Sequence, residues 1–145
     1  MSTKPFHNML LVDDDDFALL GLAVNMTDLN ISLQTVTDGE QAIDYFEGRG
    51  IYSDRSMHTV PDLVVLDLDT RLTEGFAFLD WRRASASFAS LPVVIFSGIA
   101  YKGAVETALA MGANSFVAKP LEFEGWETVV RQFWSLGMER CEAVA

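Results

Sequence analysis

Leu63-Val64-Val65-Leu66-Asp67 decides the fold of this chain: four apolar residues run unbroken into a carboxylate. Such a run, short and without polar alternation, suits a strand buried on both faces of a parallel sheet. The pattern recurs on either side of it. Met9-Leu10-Leu11-Val12 runs into Asp13 and Asp14, Val93-Val94-Ile95-Phe96 into Ser97, and Ser115-Phe116-Val117-Ala118 into Lys119-Pro120. Open parallel sheets bind ligands beyond the carboxyl ends of their strands. Carboxylates, a hydroxyl and an ammonium are therefore expected on one rim.

Helical patterns separate these runs, and the alternation points to a βα repeat. Asp16 is expected to cap a helix carrying Leu19, Leu20, Leu22, Ala23 and Met26 and ending near Asn30. Ile31-Ser32-Leu33-Gln34 alternates apolar and polar, so it reads as a half-exposed edge strand. Asp38 with Gln41 has the spacing of a capping box, opening a helix with Ala42, Ile43, Tyr45 and Phe46 that stops near Gly48 or Gly50. Arg49 to Pro61 has no periodicity and is long for a connection, which implies a mobile segment or one shaped for a partner. A loop from Leu68 to Glu74 leads to Gly75 and a helix with Phe76, Leu79 and Trp81. Ala104, Val105, Ala108 and Leu109 line the next helix, which Gly112 can end as a left-handed cap. Trp126, Val129, Val130, Phe133 and Trp134 share one face of the last helix, more often a core stripe than an interface, although an exposed tryptophan would favour docking.

With 145 residues, half of them apolar, the chain suits one domain with a real core. A formal charge of −11 and a pI near 4.4 count against nucleic acid or an anionic membrane as a direct partner. The lone Cys141 leaves no internal disulfide and fits a reducing compartment. No run approaches the length of a membrane span, and Met1 to His7 lacks a signal-peptide pattern. A soluble, cytoplasmic protein is expected.

Asp13, Asp14, Asp67, Ser97 and Lys119, in that order, resemble the receiver domain of two-component response regulators. Ser97 stands 30 positions after Asp67 and Lys119 22 positions after Ser97, both familiar receiver spacings, and Gly75 sits where that family places a glycine. The long loop before Pro61 and the stretch from Gly112-Ala113-Asn114 through Lys119-Pro120-Leu121-Glu122-Phe123 look most like stand-alone regulators paired with bacterial phytochromes.

The resemblance implies a flavodoxin-like α/β fold, a doubly wound five-stranded parallel sheet flanked by five helices. It implies a single receiver domain over residues 1–145 with no output domain. Asp67 would be the phosphoacceptor, since a carboxylate can attack phosphorus and hold the group as an acyl phosphate. A phosphoryl group among carboxylates calls for a cation, and Mg²⁺ takes such oxygen ligands. Asp14 and Asp67 would bind it directly, Asp13 through water, and the backbone carbonyl of Asp69 would complete the set. Lys119 and the Ser97 hydroxyl would each meet a phosphoryl oxygen. The resemblance also implies a cis Lys119-Pro120 bond and a switch in which Ser97 moves toward the phosphoryl group and Phe116 turns inward. The implied partners are a sensor histidine kinase, with a phytochrome-type kinase as a candidate, or a histidine phosphotransfer protein. A homodimer through the fourth helix, fifth strand and fifth helix would be the readout. No activity on an external substrate is implied.

Three positions depart from the family pattern. Arg71 stands where many receivers have proline, and Asp69 where neutral or amide side chains are familiar. Ile99 cannot position an attacking water. Asp69 and Ile99 together imply an altered, long-lived acyl phosphate. Asp15 and Asp16 read as caps and solvation rather than ligands. Asp67-Leu68-Asp69 is also similar to the nucleophile motif of haloacid-dehalogenase-like phosphohydrolases, but that motif wants a small or β-branched residue at Arg71 and leaves Asp13 and Asp14 unexplained. A docking module with a decayed site is a third reading, against which stands the retention of all five key residues.

Overall fold

The computed structural model describes residues 8–13, 16–68, 72–98 and 102–144. Five strands, β1 (Asn8–Val12), β2 (Ser32–Val36), β3 (Leu63–Asp67), β4 (Val93–Ser97) and β5 (Ser115–Ala118), form one parallel sheet in the order β2-β1-β3-β4-β5. Five helices connect and cover them: α1 (Phe17–Asn25), α2 (Gly39–Glu47), α3 (Leu72–Ala84), α4 (Lys102–Ala110) and α5 (Glu124–Val144). This is the parallel sheet expected from the apolar runs, doubly wound as the resemblance implies, with β2 on an edge.

Alternation along each buried strand divides the core. Leu10, Val12, Val64, Leu66, Val93 and Ile95 pack under α2, α3 and α4. Met9, Leu11, Leu63, Val65, Val94 and Phe96 face α1 and α5. On that second face the rings of Trp126 and Phe133 meet Phe96 edge-on, each at 5.4 Å between centroids, so the aromatic stripe of α5 is core. The chain runs from β1 outward to β2, then returns to lay β3 on the other side of β1. The carboxyl ends of β1 and β3 thus flank the point where the winding reverses, which is where such sheets bind ligands.

Local chemistry explains where the elements stop. Asp38 caps α2 by accepting from the Gln41 backbone N–H at 2.9 Å, while Gln41 Oε1 accepts from Thr37 N at 2.9 Å. The reciprocal bond of the expected box therefore lands one residue early. Gly48, at φ +69°, closes α2 in the left-handed region that glycine enters without a Cβ penalty. Helix α1 stops at Asn25, short of the expected Asn30. The Thr27 hydroxyl donates to Val24 O at 2.8 Å and accepts from Leu29 N at 3.3 Å, turning the chain out of the helix. Helix α3 begins at Leu72, three residues before Gly75. A Cβ on Gly75 would sit 2.8 Å from Leu68 Cδ2, so glycine lets the first turn of α3 press onto the end of β3.

The loop from Arg49 to Pro61 is anchored rather than loose. Arg55 donates to Tyr45 O at 2.7 Å, Phe46 O at 2.5 Å and His58 O at 3.2 Å. A cation on the last carbonyls of α2 satisfies acceptors that a helix end leaves open. Tyr45, Tyr52 and His58 pack their rings beneath it. Burial pushes the Tyr45 phenol up from its usual range, keeping it a donor to Thr59 O at 3.2 Å. The missing periodicity reflected a loop built on an arginine and rings, which a search for apolar repeats does not register.

Candidate functional site

Four strand ends deliver the site. Asp67 is the last residue of β3 and Ser97 the last of β4; Asp13 follows β1 and Lys119 follows β5. Sheet register fixes their neighbourhood: Asp67 pairs with Phe96, Ser97 with Ala118, and Lys119 N donates to Ser97 O at 3.0 Å. Asp13 N donates to Val36 O at 2.9 Å, and Thr35 Oγ1 donates to Asp13 O at 2.6 Å, so the backbone at the end of β1 is held from β2.

The Lys119 ammonium ties these ends together. Its Nζ donates to Asp67 Oδ2 at 2.5 Å and lies 2.7 Å from Asp16 Oδ2, over the Phe96 ring at 5.6 Å. Asp67 and Asp13 are buried, with 6% and 4% of their surface exposed, so Asp67 depends on the Lys119 charge rather than on bulk water, and Asp13 Oδ2 accepts a backbone N–H. Ser97 is fully buried, and its Oγ donates to Gly98 O at 3.3 Å.

Asp16 is the residue whose place the sequence reading missed. Its carboxylate makes no cap bond to α1 but turns into the site. The capping roles are exchanged: Asp13 Oδ2 accepts the Asp16 backbone N–H at 3.2 Å. That three-residue turn folds position 16 back over position 13. A run of four aspartates gave no means of ranking its members, although the i to i+3 spacing was a usable signal.

The donors fit a hard divalent cation. Asp13, Asp16 and Asp67 each bring a carboxylate oxygen within 4.8 Å of the others, and carboxylate oxygens are the ligands such ions take. Buried Asp16 Oδ2 has no hydrogen bond among the described residues, its approach to Lys119 being ionic without hydrogen-bond geometry. The expected ligands Asp14 and Asp69, and the departures at Arg71 and Ile99, lie outside the described residues, as does Asp15. Lys119-Pro120 is trans rather than cis. Trans is the lower-energy form of an X–Pro bond by about 0.5–1 kcal/mol, and from it Lys119 already reaches both carboxylates. Phe116 on β5 points outward, 37% exposed. No described helix is long and apolar enough to cross a membrane.

Fold and site together define a doubly wound α/β domain with carboxylates and a lysine gathered at the winding reversal of its sheet. Residues 9–131 match the response regulator receiver domain, and the chain belongs to that family of two-component signalling domains. It is 32% identical over 117 residues to a protein-glutamate methylesterase/protein-glutamine glutaminase of Caldanaerobacter subterraneus subsp. tengcongensis, covering 77% of this chain and 28% of the relative. The chain spans less than a third of the length of several such relatives. The response regulator RPA3017, in red light signaling of R. palustris, is 25% identical with a TM-score of 0.80, over 89% of this chain and 92% of that one. The bacteriophytochrome response regulator RtBRR is 29% identical with a TM-score of 0.70, over 88% and 78%.

Proposed function

We propose that Asp67 is the phosphoacceptor of a two-component relay, taking a phosphoryl group from the phosphohistidine of a sensor histidine kinase or of a histidine phosphotransfer protein. The observation that carries this reading is the Lys119 ammonium on the Asp67 carboxylate at the end of β3. An Asp67 oxygen attacks phosphorus in line with the P–N bond. The O–P bond forms as P–N breaks, and the electron pair stays on the departing imidazole nitrogen. Lys119 meets a phosphoryl oxygen, and Ser97, one strand over, donates its hydroxyl to another. Mg²⁺ is the cofactor of this reading: Asp13, Asp14, Asp67 and the Asp69 carbonyl would hold it, and it would offset the charge that the phosphoryl group brings among carboxylates.

The span of residues 9–131 works as one receiver unit in the cytoplasm and does not act on an external substrate. Likeness to RPA3017 and RtBRR supports a phytochrome-type kinase as donor. Movement of Ser97 toward the phosphoryl group leaves room for Phe116 to turn inward, where its ring needs no hydrogen bond. The outward ring leaves apolar area in water, so the change remodels α4, β5 and α5 into a homodimer face.

Phosphate transferred from acetyl phosphate is expected to be released by neutral hydroxylamine, which cleaves acyl phosphates and spares phosphoserine. Resistant label would place phosphate on a hydroxyl and contradict the reading. On size exclusion, beryllofluoride with Mg²⁺ is expected to convert monomer to dimer; a monomer in both states refutes the dimer face.

A further inference from the structure

Asp16 takes no part in the transfer just described, yet it is the second anion on the lysine that does. We infer that Asp16 is a positioning residue acting through Lys119: it is the carboxylate onto which the ammonium moves when a divalent cation takes Asp67. The inference rests on the cation and phosphoacceptor reading of the site.

The geometry holds both positions at once. Lys119 Nζ is 2.5 Å from Asp67 Oδ2 with hydrogen-bond geometry, and 2.7 Å from Asp16 Oδ2 without it. The ammonium is therefore aimed at Asp67, with Asp16 alongside as an ionic neighbour. The Lys119 side chain is only 18% exposed and that of Asp67 2%. The Lys119 ammonium would be repelled from Asp67 by a cation bound there, and a largely buried ammonium that loses an anion has little water to replace it. Asp16 removes that penalty, because the charge shifts its direction without leaving an anion. The residue is held for this use: its backbone N–H is fixed by Asp13 Oδ2 at 3.2 Å at the start of α1.

A double-mutant cycle separates this role from that of a metal ligand. Mg²⁺ affinity is measured by titration calorimetry at fixed ionic strength on the intact chain, Asp16→Asn, Lys119→Met and the double variant. Asp16→Asn is expected to weaken Mg²⁺ by about tenfold when Lys119 is present, because the ammonium then loses one of the two carboxylates seen on it and competes harder for Asp67. In the Lys119→Met background the loss is expected to be severalfold smaller, leaving only the through-space effect of one carboxylate. An equal or larger loss there overturns the inference and makes Asp16 a ligand or a plain field source. Asp16→Ser, which suits a helix start, repeats the cycle should the amide disturb the turn. An intact chain that binds no Mg²⁺ overturns the cation assignment and this inference with it. An intact chain that binds Mg²⁺ with no excess loss overturns the inference alone.

Discussion

Replacing Lys119 by methionine is expected to slow acyl phosphate formation from acetyl phosphate by about two to three orders of magnitude, the usual cost of removing one preorganised donor to developing charge. The lysine reaches its place because β5 ends at Ala118 beside Ser97, which sets the next residue over the ends of β3 and β1. Methionine keeps most of the length of the stem and removes the charge, so the fold is expected to persist. Mg²⁺ should bind more tightly to this variant, since the ammonium no longer competes for Asp67 Oδ2. Slower transfer with tighter metal binding is a combination that general misfolding would not produce. A phosphorylation rate within threefold of the parent would remove Lys119 from the mechanism.

The second large effect is on stability and concerns a residue remote from the rim. Arg82, in α3, is 4% exposed. It donates from Nε to Leu91 O at 2.8 Å, from Nη1 to Gly112 O at 3.0 Å and from Nη2 to Asn114 Oδ1 at 3.1 Å. Asn114 Oδ1 also accepts from Val93 N at 2.8 Å. One guanidinium thus fastens the entry to β4, the end of α4 and the entry to β5. Arg82→Met is expected to lower unfolding stability by about 3 kcal/mol, because it removes three charge-assisted hydrogen bonds from one buried guanidinium. At this chain length that corresponds to a fall of roughly 10 °C in Tm. Urea and thermal unfolding check it, and a loss below about 1 kcal/mol would mean that water replaces the guanidinium at little cost.

The legible and the illegible parts of the sequence differ in kind. Runs such as Leu63 to Leu66 are buried on both faces, so they carry no competing polar signal and announce strands directly. Asp67, Ser97 and Lys119 inherit their places from those strands, and the rim followed once the strands were known. Arg55 and Arg82 were invisible because each works by bonding backbone carbonyls outside its own segment, and a single arginine has no period. Asp16 was misread for a related reason. A cap and an ion pair ask for the same side chain, and only the turn made by Asp13 decides between them. The boundary of α1 failed at Thr27, whose hydroxyl competes with the helix for backbone groups.

The central claim is that Asp67 takes a phosphoryl group with the help of a divalent cation. Intact mass after incubation with acetyl phosphate and Mg²⁺, on the parent chain and on Asp67→Ala, tests it most directly. One phosphoryl adduct on the parent, lost with chelator and lost with Asp67, is the predicted result. No adduct under conditions that label a control receiver, or an adduct that survives Asp67→Ala, would contradict it.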